Sequence, residues 1–210
     1  TKRVRIFTPS VEIPFAGHPN IGTAFCLFSS GLLEKSSENE GATRYAFEEN
    51  AGLVSLEIQR EANGLIACEL EAPVGLEVGQ TLAPQLLAAA LSLEENDLAT
   101  SAHPPQIASV GFPFIFVELR SLDALERIVP RLDGFDSIAE TGVTPDILAY
   151  VRCESNGDSP FGVRCRMFAP YEGVLEDPAT GGANCALGGF LAHLDSAESG
   201  EFSFRVGQGI

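Results

Sequence analysis

Two ionisable side chains sit beside glycines, where a chain can turn bare backbone N–H groups toward a ligand. His18 stands in Gly17-His18-Pro19-Asn20-Ile21-Gly22, and Asp177 in Glu176-Asp177-Pro178-Ala179-Thr180-Gly181-Gly182. A histidine gives or takes a proton near neutral pH, and an aspartate can orient a substrate or shuttle a proton. Glycines carry no Cβ, so a ligand can approach the backbone at Gly17, Gly181 and Gly182. If each cluster opens a helix, unpaired N–H groups and a positive dipole end attract a carboxylate or a developing enolate. His18 and Asp177 are therefore the candidate catalytic pair, and the three glycines the candidate substrate-binding backbone. A structural role fits each residue taken alone: His18 as a capping or packing side chain, Asp177 as an N-cap. Glu12 and Glu176 read as solvated or hydrogen-bonded to loop backbone.

The two clusters belong to stretches that resemble each other. Arg5-Ile6-Phe7-Thr8-Pro9 matches Arg166-Met167-Phe168-Ala169-Pro170. Further on, Pro19, Gly22, Ala24 and Cys26 match Pro178, Gly181, Ala183 and Cys185. In that register the second copy has a loop two residues shorter, and His18 lies opposite Asp177. A duplicated half with divergent acid/base residues suggests two similar units facing each other across one cleft. Cys26 and Cys185 fall inside apolar helices, where inert buried thiols are expected. His103 and His193 have no counterpart in the motif and read as surface or core residues.

The elements around these stretches follow from periodicity. Val4–Thr8 reads as a strand leading into a Pro/Gly loop, and Asn20–Leu33 as a helix apolar nearly all round. Three strands follow at Arg44–Glu49, Leu53–Arg60 and Leu65–Leu70, with an Asn63-Gly64 hairpin turn between the last two. Ala72–Gly79 reads as a linker and Pro84–Leu91 as a short helix. The second half gives strands at Gln106–Val110, Phe114–Leu119, Ile147–Cys153, Val163–Phe168 and Phe202–Val206. An amphipathic helix is predicted over Leu122–Arg131, and an apolar one from after Pro178 to about Leu194. The polar, aperiodic stretch 95–105 divides the chain into two units, 1–100 and 101–210. The class is α+β.

Composition narrows the partners. A net charge of −16 over 210 residues argues against a nucleic-acid backbone or an anionic membrane surface. No apolar run reaches the ~20 residues a span needs. The five cysteines show no CxxC or metal spacing, so reduced thiols in a cytoplasmic protein are expected, without a zinc site. Neither a Gly-x-Ser-x-Gly elbow nor a P-loop is present, which weighs against a hydrolase or nucleotide-using transferase. The chain opens at Thr1 in a strand pattern and closes just after another, as a fragment cut at both ends would.

Together, residues 5–19 (Arg5 through Gly17-His18-Pro19) and 173–183 (Gly173-Val174-Leu175-Glu176-Asp177-Pro178 through Ala183) resemble the phenazine-biosynthesis PhzF family, of the diaminopimelate-epimerase-like fold. The resemblance implies two pseudo-symmetric domains, each an open barrel of strands around a central helix, with a site in the cleft between them. It implies a homodimer and cofactor-independent isomerisation by proton shift on a small carboxylated or cyclic metabolite. His18 and Asp177 stand where the epimerase branch uses two cysteines, so a two-thiol mechanism is not supported. Two departures follow: the family's usual Ser is Gly182 here, and its main acid/base Glu lies upstream of the Arg5–Pro9 strand. A chain without that Glu could instead be a non-catalytic binder of small ligands that keeps the fold.

Overall fold

Alternation of apolar side chains organises the first half of the chain. The computed structural model describes residues 2–33, 42–60, 66–153, 161–195 and 200–209. Three two-residue strands, β1 (Lys2–Arg3), β2 (Ile6–Phe7) and β3 (Glu12–Ile13), precede helix α1 (Gly17–Ser29). A meander follows: β4 (Thr43–Glu49), β5 (Gly52–Arg60) and β6 (Ile66–Leu70). On β5, Val54, Leu56 and Ile58 point inward while Leu53 faces solvent, the period of two expected of a sheet with one covered face. β1 joins this sheet in the order β1-β4-β5-β6, and α1 packs Ala24 and Phe28 against Phe47, Val54 and Leu56.

The second half has a sheet covered on both faces. Its elements are β7 (Glu77–Thr81), helix α2 (Pro84–Leu91), β8 (Gln106–Ser109), β9 (Pro113–Glu118), helices α3 (Leu122–Glu126) and α4 (Leu132–Ala139), β10 (Ile147–Arg152), β11 (Val163–Ala169), β12 (Val174–Asp177), helix α5 (Gly181–Leu194) and β13 (Val206–Gln208). The strands run β12-β11-β10-β9-β8-β7, with β13 on the same edge of β11 as β12. Ile115, Val117, Ile147 and Ala149 bury into one core with α2, α3 and α4. Their neighbours Phe114, Phe116, Leu148 and Tyr150 bury into another under α5. Burial on both faces explains why β9 and β10 are continuous apolar runs rather than alternating ones.

The fold is α+β in two halves, each an open sheet with its own central helix, and among the described residues neither sheet closes into a barrel. Several elements depart from the sequence expectation. The predicted linker over Ala72–Gly79 contains most of edge strand β7, whose five residues are exposed and held by pairing with β8 rather than by burial. β7 and α2 pack with the larger sheet, so the sheets change hands between Leu70 and Glu77, earlier than the composition shift at 95–105. The helix expected over Leu122–Arg131 ends at Glu126, because Pro130 lacks an N–H and pushes Val129 toward extended backbone. Val129 and Arg131 instead donate N–H bonds to the carbonyls of Leu91 and Ala90 at the end of α2. Helix α1 starts three residues before the predicted Asn20 and is buried along one stripe only, with Ile21, Phe25 and Cys26 exposed. A four-stranded sheet offers it one face to cover. The last strand is β13, not Phe202–Val206, and the Asn63-Gly64 turn lies outside the described residues. No helix among the described residues is long and apolar enough to cross a membrane.

The crossing of α2 and α4 depends on a missing side chain. A Cβ at Gly134 would lie 2.4 Å from the Cα of Ala90, closer than packed atoms tolerate. Gly134→Ala is expected to push the helices apart and cost about 1–3 kcal/mol of stability. A urea unfolding midpoint equal to that of the parent would contradict this.

Candidate active site

Both halves bracket their loops with the same ion pair. Arg5 donates Nε to Glu12 Oε1 at 2.9 Å and Nη2 to Oε2 at 2.8 Å. Arg166 does the same to Glu176, at 2.8 Å in both bonds. Each guanidinium lies over the phenylalanine two residues on, Arg5 over Phe7 at 4.8 Å and Arg166 over Phe168 at 5.0 Å. The two glutamates, expected to be solvated or bonded to loop backbone, are thus forked to arginines. Arg166 alone reaches further, donating Nη1 to the carbonyls of Leu125 and Ile128.

These pairs reveal the true register of the repeat. β2 pairs with β3 at Ile6 opposite Ile13, and β11 with β12 at Met167 opposite Asp177. Both helices then begin after four more residues, at Gly17 and Gly181, with N-caps Ala16 and Thr180. Asn20 donates Nδ2 to the Ala16 carbonyl at 3.0 Å, and Asn184 to the Thr180 carbonyl at 3.1 Å. Gly17 therefore corresponds to Gly181 and His18 to Gly182, while Asp177 corresponds to Ile13. The sequence register, which set His18 opposite Asp177, is off by five residues. It aligned the prolines, but those prolines differ in place: Pro19 sits inside a helix and Pro178 before one.

The helix starts meet. A Cβ on Gly17 would stand 2.7 Å from the Cα of Gly181, and one on Gly181 would stand 3.0 Å from the Cα of Gly17. Neither N-cap side chain bonds the first turn, and neither first turn carries an acidic residue. Two sets of free N–H groups and two positive dipole ends thus converge on one place. His18 and Asp177 line the cleft at that point together with Gly17, Gly181 and Gly182. His18 is exposed and lies in the first turn of α1, rather than before it. Asp177 ends β12 and is half-buried; Thr180, not Asp177, is the N-cap of α5. Gly182 has room for a side chain, since a Cβ there would make ordinary contact with the Phe15 ring at 3.4 Å.

Asp177 is held by a network that the sequence reading missed. Thr180 Oγ1 donates to its Oδ2 at 2.6 Å. Gln208 donates Nε2 to the Asp177 carbonyl (2.7 Å) and to Thr180 Oγ1 (2.9 Å), and its Oε1 accepts from the Thr180 N–H and from Asn184. Gln208 can reach because β12 and β13 occupy successive stretches of one edge of β11, Asp177 opposite Met167 and Gln208 opposite Cys165. Two further carboxylates line the cleft, the buried Asp146 and the half-buried Glu172. Neither oxygen of Asp146 nor Glu172 Oε2 has a hydrogen-bond partner. Burial, with the Glu172 charge adding to it, pushes the Asp146 carboxyl up to about 7, and burial raises Glu172 as well. Asp146 had no motif to mark it; its signal was only a charged residue next to a strand that is apolar on both faces.

The other candidates lie elsewhere. His103 is buried under α5, donating Nδ1–H to the Pro104 carbonyl at 2.6 Å and bonding Tyr150 Oη at 2.7 Å, and burial lowers its pKa. Cys26 is exposed and Cys185 half-buried, against the expectation of two buried thiols. Among the described residues no three His, Cys, Asp or Glu side chains converge as metal ligands.

The whole chain, residues 1–210, matches the family model for phenazine biosynthesis-like protein, PhzC-PhzF. An uncharacterized isomerase of Mesorhizobium japonicum is 32% identical over 216 residues, 99% of this chain and 67% of that protein. The trans-2,3-dihydro-3-hydroxyanthranilate isomerase of Pseudomonas aeruginosa is 32% identical over 208 residues, 99% of this chain and 66% of that protein. The crystal structure of a Bacillus anthracis phenazine biosynthesis protein of the PhzF family superposes with a TM-score of 0.75 at 28% identity, over 90% of this chain and 61% of that one. The chain thus spans about two thirds of the length of the relatives it matches.

The carboxyl of Asp146 gives a test of the cleft's electrostatics. Its folded value of about 7 lies above the ordinary 3.8, so folding favours the protonated form. The stability this gives is fully present below pH 3.8 and is lost as pH rises toward 7. Asp146→Asn removes the titration, so its melting temperature should gain on the parent's between pH 4 and 7 and hold that gain above. A difference constant from pH 4 to pH 8 would refute the assignment.

Proposed function

The chain belongs to the phenazine biosynthesis-like PhzC-PhzF family, and from that premise we propose that it is a cofactor-independent isomerase acting by proton shift. The observation that carries this is the contact of two uncapped helix starts at Gly17 and Gly181, with His18 and Asp177 in the same cleft. The substrate is a small organic carboxylate whose anionic group rests on the paired N-termini. A base takes a proton from carbon next to a π-system, and the electron pair moves into that system toward the carboxylate. The charge that builds up there faces N–H groups and dipole ends already in place, the condition for transition-state stabilisation without reorganisation. An acid then returns a proton at another carbon of the same system, so the π-bonds move and the composition does not change.

His18 can exchange a proton from the first turn of α1, where its own backbone also serves the anion. Asp177, held by Thr180 and Gln208, has one carboxylate oxygen committed and one left for substrate. In the family that the chain resembles, the principal base is a Glu on a segment that precedes the strand corresponding to Arg5–Pro9, and in this reading His18 and Asp177 assist it. The same reading takes a homodimer as the working assembly and the cytoplasm as its place. Relatives are named for trans-2,3-dihydro-3-hydroxyanthranilate, which makes that compound the first substrate to assay.

The assay should be run in deuterium oxide. An isomerase of this kind yields product carrying deuterium or showing intramolecular transfer, and His18→Ala and Asp177→Asn should each lower kcat by about 10² to 10⁴. Unchanged rates in both variants would remove these residues from the mechanism. Binding of the compound without turnover would favour a ligand-binding role instead.

A further inference from the structure

Three buried polar atoms of the first half lack hydrogen-bond partners, and they sit on two adjoining side chains. Asn20 is fully buried with Oδ1 unpaired, and both carboxylate oxygens of Glu49, which is 9% exposed, are buried and unpaired. The Asn20 amide bears on the Glu49 carboxyl. Asn20 Nδ2 already gives one hydrogen to the Ala16 carbonyl at 3.0 Å, tying the first turn of α1 to its cap. An ionised Glu49 would set only acceptors against Asn20 Oδ1, and a buried carboxylate without a cation is costly. A protonated Glu49 removes all three deficits. Its carbonyl oxygen accepts the second Nδ2 hydrogen and its O–H donates to Oδ1, so that acid and amide close a ring of two hydrogen bonds.

The repeat shows what fills this place in the second half. Val4 directly precedes Arg5, as Cys165 directly precedes the matching Arg166. β1 runs parallel to β4 with Arg3 opposite Glu48, and the Val4 N–H extends that ladder to the Glu48 carbonyl at 3.0 Å, which brings Glu49 beside Val4. β13 runs parallel to β11 with Gln208 opposite Cys165. Glu49 and Gln208 therefore hold one position of the repeat, each ending its strand and each against the asparagine in the first turn of the central helix. Gln208 Oε1 accepts from Asn184 Nδ2 at 2.8 Å while its Nε2 donates. A carboxylic acid offers the same acceptor and donor, and a carboxylate does not. We propose that Glu49 is the positioning residue for the His18 side of the cleft, a neutral acid paired with Asn20 that fixes the first turn of α1 as the Gln208 amide fixes that of α5. This role rests on the proposed site at the helix starts, since Asn20 shares its turn with Gly17 and His18. Burial pushes the Glu49 carboxyl up, so the pairing is complete below pH 4.5 and is lost as pH rises through the folded value. The charged groups on the elements around it are Glu48 on β4, Arg3 on β1, the Arg5–Glu12 pair of β2 and β3, and His18 on α1, while β5 opposes it with Gly52. None of them pulls on Glu49, which answers to burial and the Asn20 amide.

Nuclear magnetic resonance of the isotope-labelled protein, followed from pH 4 to pH 8, tests this. The Glu49 carboxyl should titrate above the ordinary 4.5, and the backbone amide signals of Gly17, His18 and Asn20 should shift with the same midpoint. Glu49→Gln keeps one acceptor and one donor, so it should hold those signals at their low-pH positions throughout. Any step that remains in it belongs to the His18 ring and is recognised by the midpoint of the ring signals. Glu49→Leu keeps neither group and should displace the three amides at every pH. If that variant does not fold, the parent and Glu49→Gln titrations decide alone. A Glu49 midpoint at or below 4.5, or amides of Gly17 and His18 that do not follow it, overturns the role. Neither result depends on turnover: a missing coupling leaves the deuterium assay intact, and an unchanged rate in His18→Ala leaves the Glu49 titration intact.

Discussion

Everything in the cleft depends on two helices being allowed to touch at their N-termini. The contact is possible because Gly17 and Gly181 lack side chains: a methyl on either would fall within about van der Waals overlap of the other's backbone. Electrostatically the arrangement is unfavourable when empty, since each helix start carries roughly half a positive charge. Burial of each helix on its own sheet holds the ends in place, α1 through Ala24 and Phe28 and α5 through Ala183, Ala186 and Phe190. An anion at the junction would relieve that repulsion, which is the ground on which the proposed function rests the substrate's carboxylate there.

The two halves keep that junction by the same means and differ elsewhere. The forked Arg5–Glu12 and Arg166–Glu176 pairs set the loop before each helix, and Asn20 and Asn184 tie the first turn back to the cap carbonyl. Around this shared frame the second half is buried on both faces of its sheet, whereas the first covers only one. The difference shows in the helices: α5 is deeply buried, while α1 leaves Ile21 and Phe25 in the open. The Gln208 network belongs to the second half as well. Asp177 is thereby a fixed group and His18 an exposed one, a division suited to one residue that orients and another that exchanges protons.

Much of the local structure was legible from residue order. The strands β4, β5, β9, β10 and β11 and the helix α2 lie where alternation, apolar runs and an initial proline place them, because those signals depend on near neighbours. Elements held by partners rather than by their own pattern were not legible. β7 is exposed throughout and exists through backbone pairing, and α4 follows a proline that broke a longer predicted helix. β12 carries no legible strand signal because its four residues are two apolar ones followed by two acidic ones, with no alternation, and its bonds go to β11.

By itself the sequence showed that two stretches resemble each other, carried the family resemblance and the α+β class, and singled out His18, Asp177, Gly17, Gly181 and Gly182, which line one cleft. These follow from residue types at short spacing, which a chain states directly. Only the tertiary structure decided which residues of the two copies correspond, because strand pairing and helix caps define equivalence and matched prolines do not. It alone brought Gln208 to Asp177 and sank Asp146 beside Glu172 in the same cleft. Those encounters link residues tens of positions apart, and a carboxylate's charge state depends on the burial and neighbours that such encounters create.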